Sequence, residues 1–124
     1  MRALIIDDSS SMRSILRQYM REMKYDVVEA GNGKEALQKC EETKDFTIAL
    51  VDWNMPVMNG LDFVRALRAR HEFDNVKLMM VTTENDSARI TEALSAGANE
   101  FMMKPFTYDA LEQKIALVVE ESNV

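Results

Sequence analysis

Ala3-Leu4-Ile5-Ile6-Asp7-Asp8 and Ile48-Ala49-Leu50-Val51-Asp52 carry the strongest structural signal in this chain. Each is a short, unbroken apolar run closed by aspartate. Strands buried on both faces read this way, because neither side meets water. As parallel neighbours, the two runs bring their carboxyl ends to one edge, and the carboxylates of Asp7, Asp8 and Asp52 meet there. Crowded carboxylates repel and need a cation or a shared proton. Oxygen-only ligands at a strand edge suit a hard ion such as Mg²⁺, and one carboxylate of the group would then be free to accept a phosphoryl group.

Along the rest of the chain, strand-like and helical runs alternate. After the first strand (Ala3–Ile6), Ser9, Ser10 or Ser11 can cap a helix by accepting a free first-turn N–H. Its apolar face is Met12, Ile15, Leu16, Tyr19, Met20 and Met23 at i, i+3, i+4 spacing. Val27-Val28 marks a second strand, Gly31-Asn32-Gly33 breaks it, and a short helix with Ala36, Leu37 and Cys40 follows. The third strand is Thr47–Val51, and a loop from Trp53 to Gly60 leads to a helix near Leu61–Arg70. The fourth strand is Val76–Thr82. Asp86 or Ser87 can cap the next helix, which carries Ile90, Ala93 and Leu94 and can end at Gly97. Phe101–Met103 is a short fifth strand, Lys104-Pro105-Phe106 turns the chain, and a last helix after Thr107 aligns Leu111, Ile115, Val118 and Val119.

This fivefold βα alternation implies an α/β fold: a doubly wound parallel sheet with helices on both faces. Ligands in such sheets bind outside the carboxyl ends of the strands. Asp7, Asp8, Asp52, Thr82, Thr83 and Lys104 all fall at those ends.

Composition narrows the function classes. The 124 residues, 47% hydrophobic, fit one domain over 1–124 with its own core. Fifteen Lys and Arg against 21 Asp and Glu give a net charge of −6, a poor match for nucleic acid, whose binding draws on phosphate neutralisation. The basic stretch Arg65-Ala66-Leu67-Arg68-Ala69-Arg70 reads as a solvated helix face. One cysteine, Cys40, excludes an internal disulfide and fits a small apolar packing role in a reducing compartment. No basic-then-apolar leader opens the sequence and no apolar run is long enough to span a bilayer, so a cytoplasmic protein without membrane partners is expected.

The strand-end residues permit phosphoryl chemistry. A Mg²⁺ ion in the carboxylate nest, the Thr82 hydroxyl and the Lys104 ammonium could together bind the three peripheral oxygens of a phosphoryl group. Phosphoryl transfer is mostly positioning and charge stabilisation, and Asp52 would be the nucleophile, forming an acyl phosphate.

The ordered set Asp7-Asp8, Asp52, Thr82-Thr83 and Lys104-Pro105-Phe106 resembles the receiver domain of two-component response regulators. The segment from Asp52 through Trp53, Asn54, Met55 and Pro56 to Gly60 is similar in particular to single-domain chemotaxis receivers. The resemblance implies the flavodoxin-like (βα)5 fold with strand order 2-1-3-4-5. It implies that Asp8, Asp52 and the main-chain oxygen of Asn54 hold Mg²⁺ directly, with Asp7 helping through water. Asp52 would take a phosphoryl group from a sensor histidine kinase, with Thr82 and Lys104 binding its oxygens. Thr82 and Phe101 would form the switch, and the Lys104–Pro105 bond would be cis. The output face would combine the fourth helix, fifth strand and fifth helix, here including Ile90, Glu92, Phe101 and Lys114. Its target would be a protein such as the flagellar motor switch, and a phosphatase is a further partner. Asn54 and Glu84 occupy positions that tune autodephosphorylation and match the chemotaxis receivers, so a short-lived phosphoform is expected.

Two residues depart from that pattern. Phe101 stands where chemotaxis receivers carry tyrosine, so the switch should rest on packing alone. Thr83 is bulkier than the alanine or glycine common there, and is expected to crowd the phosphate site or hinder the aromatic swing. His71 reads as a surface residue, and most of the ten methionines, among them Met12, Met20, Met79 and Met102, read as core. Met55, Met58 and Trp53 are open between core and site. A phosphorelay intermediate, a Mg²⁺-dependent phosphohydrolase and an inactive interaction module are the rival readings. Asn54 stands where a phosphohydrolase would carry a second aspartate.

Overall fold

The computed structural model describes residues 1–121. Five βα units follow one another: β1 (Arg2–Ile6), α1 (Ser10–Glu22), β2 (Asp26–Ala30), α2 (Gly33–Glu42), β3 (Ile48–Val51), α3 (Gly60–Arg68), β4 (Lys77–Thr82), α4 (Ser87–Ala96), β5 (Glu100–Met103) and α5 (Tyr108–Glu121). A single 3₁₀ turn, His71–Phe73, separates α3 from β4. The strands form one parallel sheet in the order β2-β1-β3-β4-β5, as the resemblance implies.

Strand alternation divides the core into two layers. Leu4, Ile6, Ala49, Val51, Leu78 and Met80 face a cluster containing Ala36, Cys40, Phe63, Val64, Leu67 and Ala93 of α2, α3 and α4. Ala3, Ile5, Ile48, Leu50, Met79 and Val81 face Leu16, Met20, Leu111 and Ile115 of α1 and α5. Covering both faces buries β1 from Ala3 onward and all of β3. β2 is an edge strand with Val27 and Val28 only half-buried, so its sequence signal is shorter.

The helix signals hold at the caps. Ser9 accepts the Met12 N–H at 3.2 Å, Asp86 accepts that of Ala88 at 2.9 Å, and Gly97 ends α4 at φ 125°. Met20, Met79 and Met102 are buried, while Met12, Met55 and Met58 pack partly buried against the core. Trp53 and Cys40 are buried, and burial pushes the Cys40 thiol up to about 11. His71 is exposed, as expected.

Three readings need correction. Ile15 and Leu94 belong to periodic apolar sets but are exposed, because each lies beyond the edge of the stripe its helix presents to the sheet. Arg68 is not part of a solvated face. Its guanidinium reaches the loops that lead into β4 and β5 and donates to the carbonyls of Gly97 (3.0 Å), Phe73 (3.1 Å) and Val76 (2.7 Å) and to Asn99 Oδ1 (3.0 Å). The helix over 61–70 ends at Arg68, where the chain tightens into the His71–Phe73 turn.

Candidate functional site

The strand order reverses between β1 and β3, and that is where an open parallel sheet leaves a crevice. Ile6 and Val51 are register partners, and the Asp52 N–H continues the ladder to the Ile6 carbonyl at 2.9 Å. The residues following them, Asp7 and Asp52, therefore leave the sheet side by side. Carboxylate oxygens of Asp7, Asp8 and Asp52 lie within 4.8 Å of one another. Across β4, the Lys104 N–H bonds the Thr82 carbonyl at 2.9 Å, which brings Lys104 to the same edge. Its Nζ lies 2.8 Å from Asp7 Oδ2 and 3.6 Å from Asp52 Oδ1.

The three acids are not equivalent. Asp7 is buried and already engaged: its Oδ1 accepts the Ser9 N–H at 2.9 Å and its Oδ2 the Lys104 ammonium. Asp8 is exposed. Asp52 is buried, and one oxygen accepts the Trp53 N–H at 2.9 Å. Burial pushes the Asp52 carboxyl above the usual carboxylate range; Lys104 and the Trp53 N–H pull it back, while Asp7 and Asp8 push it further. Asp52 in its ionised form is thus undercompensated. The donor set is all oxygen and clustered, with one exposed member and one undercompensated member, and so fits a hard divalent cation such as Mg²⁺.

Around this centre, the Thr82 hydroxyl is buried and accepts the Glu84 N–H at 3.1 Å. Glu84 pairs with Arg89 at 3.6 Å, and the Arg89 guanidinium lies 5.9 Å from the Trp53 ring centroid. Asn54 is exposed in the loop after Asp52, and Thr83 is exposed after β4. Phe101 is half-buried on β5, against the same core cluster as Met80. Lys114 of α5 donates to the Phe101 carbonyl at 2.9 Å and lies 4.9 Å from its ring centroid. The Lys104–Pro105 peptide is cis. All the strand-end residues singled out from sequence converge on one edge; Phe101 lies on β5 beside it, not in the acidic cluster.

Sequence reasoning missed three contributors. Gly60 starts α3 against the acidic residue: a Cβ there would stand 2.1 Å from the Asp52 carbonyl oxygen, so only glycine permits this approach. Val57 holds φ 70° in the same loop while 78% exposed, a strained conformation for a β-branched residue. Arg13 of α1 donates to the Asp7 carbonyl at 2.6 Å. Helical side chains lean toward the helix N-terminus, so an arginine in the first turn after the Asp7-Asp8 pair was a legible signal.

The family model of the response regulator receiver domain matches residues 3–116. The chain is a response regulator receiver domain. Among its relatives, the chemotaxis protein CheY1 of Helicobacter pylori (strain J99) is 42% identical over 120 residues, 96% of this chain and 97% of the relative. The chemotaxis protein CheY of Pseudomonas aeruginosa is 38% identical over 124 residues, 99% of each chain. The solved structure of Vibrio cholerae CheY4 superposes on this receiver with a TM-score of 0.88 at 32% identity, covering 94% of this chain and 97% of that one. Among the described residues no helix is long and apolar enough to cross a membrane.

Proposed function

We propose that this receiver acts as a single-domain switch in chemotaxis signalling, taking a phosphoryl group on Asp52 from the phosphohistidine of a sensor kinase. The observation that carries the reading is the meeting of Asp7, Asp8 and Asp52 with Lys104 at the β1/β3 crevice. The similarity to chemotaxis proteins along nearly the whole chain supports the pathway.

In the transfer, a carboxylate oxygen of Asp52 forms a bond to phosphorus as the donor's P–N bond breaks. The leaving imidazole keeps the electron pair and takes up a proton. Asp8, Asp52 and the Asn54 carbonyl would hold Mg²⁺, with Asp7 helping through water. When bound, the cation neutralises charge on the phosphoryl oxygens. Lys104 turns from Asp7 and Asp52 to a phosphoryl oxygen, exchanging one anionic partner for another. Thr82 breaks its bond from the Glu84 N–H and donates its hydroxyl proton to the third oxygen. Phe101 then packs into the space Thr82 leaves. Phosphorylation adds roughly −1.5 to −2 charge at neutral pH, and it shifts the switch because the two arrangements bind that charge differently.

The α4-β5-α5 face carries this change to a target such as the flagellar motor switch. Asn54 and Glu84 set the lifetime of the acyl phosphate, which we expect to be short; a phosphoform persisting for hours in purified protein with Mg²⁺ would contradict that part. The test is transfer from a phosphorylated histidine kinase in the presence of Mg²⁺. The wild type takes up label and Asp52→Asn takes up none, while undiminished labelling of Asp52→Asn refutes the assignment. Mixing the labelled protein with histidine phosphotransfer proteins separates the motor-switch role from a relay role: a relay intermediate passes its label on.

A further inference from the structure

Arg13 is joined both to the acidic turn and to the neighbouring strand. One guanidinium nitrogen donates to the main-chain carbonyl of Asp7 at 2.6 Å. Its Nε lies 3.3 Å from Glu29 Oε1 on β2, and the other Glu29 oxygen accepts from Arg17 Nη1 at 2.7 Å. The Asp7 N–H bonds the Ala30 carbonyl at 3.1 Å. Asp7 is therefore fixed at every polar atom: amide, carbonyl, Oδ1 by Ser9 and Oδ2 by Lys104. Of these, the carbonyl bond is the one made to the peptide that links Asp7 to Asp8. That peptide sets where the exposed Asp8 carboxylate points.

We propose that Arg13, oriented by Glu29, is a positioning residue that holds the Asp7-Asp8 turn in the geometry needed to bind a divalent cation. The inference rests on the reading of the acidic cluster as a cation site. Partners that orient a metal ligand without touching the metal commonly control affinity by tenfold or more. The proposal also has a sign that distinguishes it from plain electrostatics. Removing a positive charge near three carboxylates tightens cation binding if charge alone matters. Losing the fixed turn weakens it.

Calorimetric titration of the full chain with Mg²⁺ tests this, comparing wild type with Arg13→Gln, Arg13→Lys and Asp52→Asn. Arg13→Gln is expected to bind Mg²⁺ about tenfold more weakly. Arg13→Lys, which keeps the charge but loses the planar fork, should fall between it and the wild type. A folded Arg13→Gln, verified by circular dichroism, that binds as tightly as wild type or tighter overturns the proposal. Should Arg13→Gln fail to fold, Arg13→Lys carries the test, and wild-type affinity in that variant overturns it. Wild-type protein that binds no Mg²⁺, or Asp52→Asn that binds it like wild type, overturns the cation-site reading and this inference together. Loss of affinity in Asp52→Asn beside full affinity in Arg13→Gln overturns this inference alone.

Discussion

At the carboxyl edge of the sheet, Lys104 faces the carboxylates of Asp7 and Asp52; at the amino edge, Arg68 faces the carbonyls of Gly97, Phe73 and Val76 and the Asn99 amide. Both cations are partly buried, but their surroundings differ in kind. Arg68 spreads one charge over neutral oxygens at the ends of the His71–Phe73 turn and α4 and just before β4 and β5. Nothing there gains from a further ligand. At the other edge the acids outnumber the single ammonium, and Asp52 is left with burial and like charge working against its ionised form. An arrangement short of positive charge suits a cation, and under the proposed function its parts would exchange partners when a phosphoryl group arrives. One edge fixes the fold, while the other stores an imbalance that the proposed switch would use.

The difference between the edges is largest at Lys104. Lys104→Ala leaves two buried carboxylates without their cation, and metal-free protein at neutral pH should lose about 3 kcal/mol in urea unfolding. Saturating Mg²⁺ should restore part of that, since the ion replaces the missing charge; a loss that is the same with and without Mg²⁺ counts against the imbalance. Arg68→Ala should cost about 2 kcal/mol, from carbonyls left with poorer partners. Here Mg²⁺ should make no difference to the loss, and the folded fraction should still take up phosphoryl groups. Sensitivity of the Arg68→Ala loss to Mg²⁺ would mean that the two edges are coupled.

Asp52→Asn acts in the opposite direction. A carboxyl whose folded pKa is raised favours folding fully only below its unfolded value, and that contribution is lost as pH rises through the folded value. At neutral pH the ionised Asp52 therefore opposes folding. Removing the charge should stabilise metal-free protein by about 1 kcal/mol, roughly 3–5 °C in Tm. The gain should fade as pH drops into the carboxylate range. A Tm difference that grows at acid pH has the wrong sign for this account. The smallest effect belongs to Val57, where Asn tolerates the left-handed backbone better; Val57→Asn should stabilise by about 0.5 kcal/mol, read by the same unfolding assay.

The two edges also differed in legibility. The carboxyl edge was readable because its residues follow strands that announce themselves: Asp7, Asp8 and Asp52 end unbroken apolar runs, and Thr82 and Lys104 follow two more. Parallel topology then does the converging. The amino edge was not readable, because Arg68 lies between Arg65 and Arg70 in a run whose charges look alike in sequence. The Gly97, Phe73, Val76 and Asn99 oxygens, from beyond the helix, distinguish it. Ile15 and Leu94 mark the same limit: periodicity places them near an apolar stripe, and the stripe's width is set by what the helix packs against. Gly60 stands in the sequence as the end of the Asp52 segment, but its need for a missing Cβ arises from the close approach of Asp52, which no spacing in the sequence expresses.

Intact-mass and peptide mapping after exposure to a small phosphodonor such as phosphoramidate, with and without Mg²⁺, reads phosphorylation of Asp52 itself. A single phosphoryl group on Asp52, acquired only with Mg²⁺, is the predicted result. A phosphoryl group on another residue, or one gained equally without the ion, would contradict it.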